Sequence, residues 1–170
     1  GKLGNLKIST RDINFATAAF GQGVSVTPLQ LINAISAIAN RGILMKPNLL
    51  AGHPPEVLGK VISPEAADQV TEMMVSAVTK AEVAKIDGYR IAGKTGTAQI
   101  PDFRNGGYSD QYIHSYTGFA PASDPKFTIL IKIDKPKGVG LAGATVVPAF
   151  RELAQFVINY YNIPADRLAD

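Results

Sequence analysis

An α+β fold, with helices packed on an antiparallel sheet, is what the order of hydrophobic patterns along these 170 residues predicts. Two helical runs with recognisable N-terminal caps occupy the first half. Three strand-like runs joined by hairpin-length loops follow, and a last helix closes the chain. No internal repeat and no domain boundary interrupts that order.

Residues 1–26 carry no periodic pattern and end in Phe20-Gly21-Gln22-Gly23. They are expected to be irregular, with Gln22 fixing backbone turns. Thr27 is a good N-cap, Pro28 fits the first helical position and Gln30 completes a capping box. Val26 and Leu31 are placed to staple the start of this helix. Leu31, Ala34, Ile35 and Ile38 follow helical spacing up to Gly42. Leu29, Ile32 and Ala39 add apolar surface on other sides, and only Gln30, Asn33 and Asn40 form a thin polar stripe, so the helix is predicted to be mostly buried. Residues 43–62 read as extended segments joined by a turn at His53-Pro54-Pro55, with His53 solvated. A second helix starts at Ser63 and Pro64, with Glu65 favourable in its first turn. Its expected core face is Ala66, Val70, Met73, Met74 and Ala77.

Charged residues 80–87 then lead into a strand around Tyr89–Gln99. Asn105-Gly106-Gly107 is a turn signal before a strand from about Tyr112 to Ala120. Ile100–Gln111 is either a loop over a cleft or an ordinary mobile loop. Asp124-Pro125 makes another turn. Phe127, Ile129, Ile131 and Ile133 alternate on one face of Phe127–Asp134. After the glycine-rich linker Gly138–Gly143, a helix begins near Pro148 with Phe150, Leu153, Val157 and Tyr160 as its packing stripe. Asn162-Ile163-Pro164 stops it.

Composition narrows the chemistry. The formal net charge of +3 comes without a basic run, which argues against nucleic acid as a partner. There is no cysteine, which excludes thiol catalysis, disulfides and thiolate metal sites; the only two histidines, His53 and His114, argue against a multi-histidine metal site, and no cofactor is implied. No stretch is apolar enough to span a membrane.

The segment richest in chemistry is Ile91-Ala92-Gly93-Lys94-Thr95-Gly96-Thr97-Ala98, at the end of a strand-like run. Strand alternation puts Thr95 and Thr97 on one face and Lys94 on the other. Two adjacent hydroxyls suit a carboxylate, an ammonium attracts it and lowers a neighbouring hydroxyl's pKa, and Gly96 lets a peptide backbone approach. The Thr97 N–H is a candidate oxyanion donor. Taken alone, the same residues also fit a bulged, glycine-rich edge strand. Gly88–Thr95 literally satisfies the phosphate-binding pattern Gly-x4-Gly-Lys-Thr, but that loop needs a buried strand before it and a helix after it, and Lys80–Asp87 is too charged while Gly96–Pro101 is a poor helix start.

Phe20-Gly-Gln-Gly-Val-Ser-Val-Thr-Pro-Leu-Gln30, Ile38-Ala-Asn-Arg-Gly42, Lys46-Pro47, Gly88–Gln99 and Gly118-Phe-Ala-Pro121 occur in this order. Together they closely resemble the C-terminal half of the transpeptidase domain of class B penicillin-binding proteins, of the cell-division and elongation type, over residues 18–163. Serine β-lactamases, which share the Lys-Thr-Gly element, are a weaker match. The resemblance implies a partial penicillin-binding transpeptidase fold, with three strands of a five-stranded sheet. It also implies a bacterial enzyme at the extracytoplasmic face of the cytoplasmic membrane, with its anchor upstream. Such an enzyme cross-links peptidoglycan stem peptides by serine acyl transfer and binds β-lactams. By this resemblance Lys94, Thr95 and Gly96 are catalytic, Thr95, Thr97 and Gln99 bind substrate, and the Thr97 N–H forms part of the oxyanion hole; for Gln99, a solvated strand residue is the equal alternative.

In the family order the Ser-x-x-Lys nucleophile and the Ser-x-Asn element lie upstream of Gly1. The expected partners are therefore stem peptides, β-lactams, the N-terminal half of the same domain and other cell-wall synthesis proteins, and the chain by itself is expected to be inactive. A non-catalytic scaffold of the same fold is the alternative. The one literal Ser-x-x-Lys, Ser123-Asp-Pro-Lys126, is expected to be a turn, because Pro125 spoils the helical turn a nucleophile needs. Val83–Ile86 departs from the family, which commonly carries Gly-Thr there. His114, on a strand, either points to a cleft or is packed or at the surface.

Overall fold

A computed structural model describes residues 4, 11–82, 84–102, 104–138 and 140–166. The order is α1 (Asp12–Ala19), α2 (Pro28–Ala39), β1 (Ile43–Met45), β2 (Val57–Lys60), α3 (Pro64–Ala81), β3 (Ala92–Pro101), β4 (Tyr108–Ala120), β5 (Phe127–Asp134), a 3-10 turn (Ala142–Ala144) and α4 (Val146–Tyr160). Strands β3, β4 and β5 form an antiparallel sheet in that order, and β1 and β2 form a separate hairpin. Helices α2 and α3 cover one face of the sheet, and α4 with the 3-10 turn covers the other.

Local chemistry explains the well-marked helix starts. Thr27 Oγ1 accepts from Gln30 N and Gln30 Oε1 accepts from Thr27 N, closing the capping box. Ser63 Oγ accepts from Ala66 N at the start of α3. Glu65, in that first turn, has its carboxyl held below the usual range by a backbone N–H and by the Ser63 hydroxyl.

The main core lies between α4 and the sheet. Phe150, Val146, Val147 and Ala154 of α4 are fully buried with Ile91 and Tyr116. The Tyr116 and Phe150 rings meet at 4.6 Å. On the opposite face Met74 of α3 packs with Ala92, Phe119 and Ala122, and Ile35 and Ile38 of α2 border that cluster.

Several expectations are corrected. The stretch expected to be irregular contains α1, which has no buried residue and no side-chain cap, so no apolar stripe marked it; residues 1–3 and 5–10 of that stretch lie outside the described residues, as does Val83. Helix α2 is not mostly buried: only Ala37 is, and Leu29 is 59% exposed. Val26, the proposed staple, is exposed as well. The β1–β2 connection turns at Leu50–Gly52, with Gly52 at φ +81°, just before His53-Pro54-Pro55. His53 is exposed. The buried face of α3 is Ala67, Thr71, Met74 and Val78, while Met73 and Ala77 face outward. Thr71 can be buried because its hydroxyl donates to Ala67 O, 2.9 Å away, one turn back. In α4, Leu153 and Tyr160 are exposed, and Ala154 and Ile158 take the inner positions.

The β3–β4 hairpin is longer than expected. Strand β4 begins at Tyr108, and Pro101 pairs with Tyr108, so both ends of the 100–111 stretch are strand and the loop is shorter than expected. Asp102 organises the short turn between them. It accepts from the Asn105 side chain and from the Arg104 and Asn105 N–H groups, which hold its carboxyl below the usual range.

Candidate active site on the edge strand

Strand β3 is an outer strand: one edge pairs with β4, and among the described residues no strand pairs with the other. The register places Lys94 opposite Thr117, Thr95 opposite Tyr116, Gly96 opposite Ser115, Thr97 opposite His114 and Gln99 opposite Tyr112. Alternation therefore puts Thr95, Thr97 and Gln99 on the α4 face with Tyr116 and His114. Lys94 and Gly96 lie on the other face with Thr117 and Ser115.

Lys94 is exposed, and its ammonium donates to the carbonyl of Thr95 at 2.7 Å. Among the described residues no carboxylate pairs with it. A Cβ at Gly96 would come within 2.5 Å of Ser115 Oγ, so a larger residue there would push the Ser115 hydroxyl aside. Thr97 is exposed, and its Oγ1 accepts from Ala142 N at 3.3 Å, which ties the 3-10 turn to the strand. Thr95 is half-buried. Gln99, also half-buried, donates from Nε2 to Ser109 O at 3.4 Å, inside the hairpin. The run from Lys94 to Thr97 thus presents Lys94 and Gly96 on one face and Thr95 and Thr97 on the other, with Gln99 two positions beyond Thr97 on the α4 face.

His114 is packed, not in a cleft. Its ring is completely buried, and Nδ1 lies 2.9 Å from Thr145 Oγ1. Nε2 and the hydroxyl of Tyr116 are buried with no hydrogen-bond partner among the described residues. Burial pushes the Tyr116 hydroxyl's pKa well above its usual range. The residues missed by sequence reasoning are Ser115, on the Lys94 face, and Ala142 and Thr145, in and beside the segment read as a linker. No local signal marks them, because each reaches the site only through strand pairing or a contact across the fold.

The rival motifs are resolved by the same geometry. Lys94 and Thr95 lie inside a strand that continues to Pro101, and no helix starts there, so the phosphate-loop pattern has no phosphate loop. Ser123 lies between β4 and β5. Its Oγ donates to Asp166 Oδ2 at 2.6 Å, while Lys126 pairs with Asp124 rather than with the serine. Asp166 also accepts from Arg90 N at 2.7 Å and donates its own N–H to Gly88 O, so one residue ties residues 88–90, at the start of β3, to Ser123.

Comparison with known proteins agrees with this architecture. The chain is 39% identical over 146 residues to stage V sporulation protein D of Bacillus subtilis, covering 77% of this chain and 22% of that protein. It is 37% identical over 164 residues to the peptidoglycan D,D-transpeptidase FtsI of Escherichia coli, covering 92% and 27%. The chain thus spans about a quarter of the length of these curated relatives. Among solved structures, the transpeptidase domain of Burkholderia pseudomallei penicillin-binding protein 3 superimposes with a TM-score of 0.82 at 33% identity, covering 97% of this chain and 52% of that one. Penicillin binding protein 3 of Mycobacterium tuberculosis, complexed with ampicillin, gives 0.75 at 29% identity, covering 89% and 38%. The family model described as the penicillin binding protein transpeptidase domain matches residues 2–155, and the chain belongs to that family.

Proposed function

We propose that this chain is the C-terminal part of the transpeptidase domain of a peptidoglycan D,D-transpeptidase, and that β3 supplies its electrostatic and carboxylate-binding side. The observation that carries this reading is the run Lys94-Thr95-Gly96-Thr97, with Lys94 and Thr97 exposed, on a strand whose second edge is unpaired among the described residues. A serine from the N-terminal part of the domain attacks the penultimate D-alanine carbonyl of a stem peptide. The carbonyl oxygen takes the developing negative charge, and the Thr97 N–H is one of its donors. Lys94 aids proton transfer and attracts the terminal carboxylate, which the Thr95 and Thr97 hydroxyls hold. Collapse of the intermediate breaks the amide bond and releases the terminal D-alanine. An acceptor amine then takes the acyl group and regenerates the serine. Gln99 contributes to the same strand face.

A β-lactam offers the same carbonyl and carboxylate in one molecule, and the relative complexed with ampicillin supports β-lactams as ligands here. Names such as FtsI support a place in the cell envelope, and we place the chain on the extracytoplasmic side of the cytoplasmic membrane. The exposed apolar residues of α1 and α2 support docking of the N-terminal part against them.

Intact mass before and after penicillin tests the proposal. The 170-residue chain should gain nothing. A polypeptide carrying both parts of the domain should gain one drug molecule, and Lys94→Ala in it should slow acylation by about a hundredfold or more. Acylation of the 170-residue chain itself, or none in the longer polypeptide, would overturn the reading, the latter in favour of a non-catalytic scaffold.

A further inference from the structure

We propose that His114 and Thr145 are a positioning pair that holds the Thr97 hydroxyl as a donor toward the substrate carboxylate. The inference rests on the transpeptidase reading above and concerns two residues that lie behind the strand rather than on it. Three contacts link them. His114 Nδ1 lies 2.9 Å from Thr145 Oγ1, Thr145 Oγ1 donates to Ala142 O at 3.3 Å, and Ala142 N donates to Thr97 Oγ1 at 3.3 Å. Because Thr97 is the cross-strand partner of His114, the contacts run from β4 through the 3-10 turn to β3 and close on the residue pair where they began.

Thr145 has one hydroxyl hydrogen: given to Ala142 O, it leaves the oxygen to accept from His114 Nδ1, and in either imidazole tautomer the 2.9 Å contact holds the ring against the turn. At the far end, Ala142 N occupies one lone pair of Thr97 Oγ1. The hydroxyl hydrogen of Thr97 is left to point away from that N–H, on an exposed side chain. A hydroxyl set in this way donates to an anion without first reorienting.

The 3-10 turn needs such a hold. The segment leading into it contains Gly138 at φ +74° and Gly140, has Leu141 exposed, and is followed by Gly143 inside the turn. The Ala142 side chain is buried, but a methyl group fixes little orientation. The buried imidazole, rigid between β4 and the turn, supplies the orientation that the glycines do not.

The test uses the polypeptide carrying both parts of the domain, with benzylpenicillin and its methyl ester as acylating agents. The ester lacks the anion that Thr97 is proposed to bind, so the acid should react faster in the unsubstituted protein. Thr145→Val removes the hydroxyl and keeps the shape. It should lower the acid-to-ester rate ratio roughly tenfold, as expected when a charge-assisted hydrogen bond is misaligned. Thr145→Ser should restore the ratio. Thr97→Val should lower the ratio too, and adding Thr145→Val to it should lower it no further, because the two act through one hydroxyl. A loss of thermal stability without a change in ratio would make the pair structural and overturn the inference. If Thr145→Val does not fold, His114→Gln read in the same assay decides, an unchanged ratio overturning the inference and a lowered one supporting it. Absence of acylation in the unsubstituted protein would overturn the transpeptidase reading and this inference with it.

Discussion

Around α4, large side chains such as Phe150, Val146 and Val147 are sealed against the sheet, whereas in α1 and α2 Ile13, Phe15 and Leu29 stand open. Both regions are helical and apolar, so secondary structure does not separate them. The difference lies in what each packs against. Helix α4 meets strands that closely precede it in the same chain, and α1 has no buried residue at all. A closed core of the first kind carries stability within the chain. An open face of the second kind suits association with another part of a domain.

Substitutions in the two regions should therefore differ most in size. Phe150→Ala removes a fully buried ring against Tyr116 and should cost about 3–5 kcal/mol in urea unfolding. Gly93→Ala comes next. A Cβ there would lie 1.9 Å from the Tyr116 hydroxyl, and moving that ring should cost about 1–3 kcal/mol in the same assay. A near-zero value would mean that the α4 face repacks more freely than its burial suggests.

The pH dependence sharpens the same contrast. Burial raises the Tyr116 pKa in the folded protein above the ordinary value of 10.0, so the unfolded chain loses this proton first. Its contribution is intact below pH 10 and falls as pH rises beyond it, by about 1.4 kcal/mol per pH unit at most. Tyr116→Phe should remove that slope while leaving stability near neutral pH unchanged or slightly higher, as equilibrium unfolding between pH 7 and 11 would reveal. In the open region the effects shrink. Thr27→Ala deletes the cap of α2 and should cost about 1 kcal/mol by thermal unfolding. Leu29→Ala, on the exposed side, should change stability by less than about 0.5 kcal/mol. A large loss from Leu29→Ala would erase the distinction between the two regions.

Features set by a few neighbouring residues were legible in the sequence. The capping box at Thr27 and Gln30, the Ser63-Pro64 start and the alternation of β5 are of this kind, and the structure has each of them. The Lys-Thr-Gly-Thr patch was legible as a motif on a strand, with Lys94 and the threonines on opposite faces. Helix phase was not. Thr71 turns inward because a backbone bond satisfies its hydroxyl, and in α4 Ala154 rather than Leu153 is the buried residue. The start of β4 was hidden because Tyr108-Ser-Asp-Gln is too polar to mark a strand, although pairing with β3 makes it one. The surroundings of Thr97 were hidden for a related reason, since Ala142 is 45 residues away in the chain.

The clasp made by Asp166 has a practical side for anyone attaching or inserting sequence. Its carboxylate grips Arg90 N and Ser123 from 76 and 43 residues away, so the chain remains mechanically part of the β3 start up to that residue. A fusion partner joined at residue 164 would replace the buckle, and the Arg90 amide would exchange with solvent sooner. The tip between β1 and β2 offers the opposite. Residues 47–56 are exposed throughout, Leu49 completely so, and a tag or a spectroscopic probe placed there would leave β3 undisturbed.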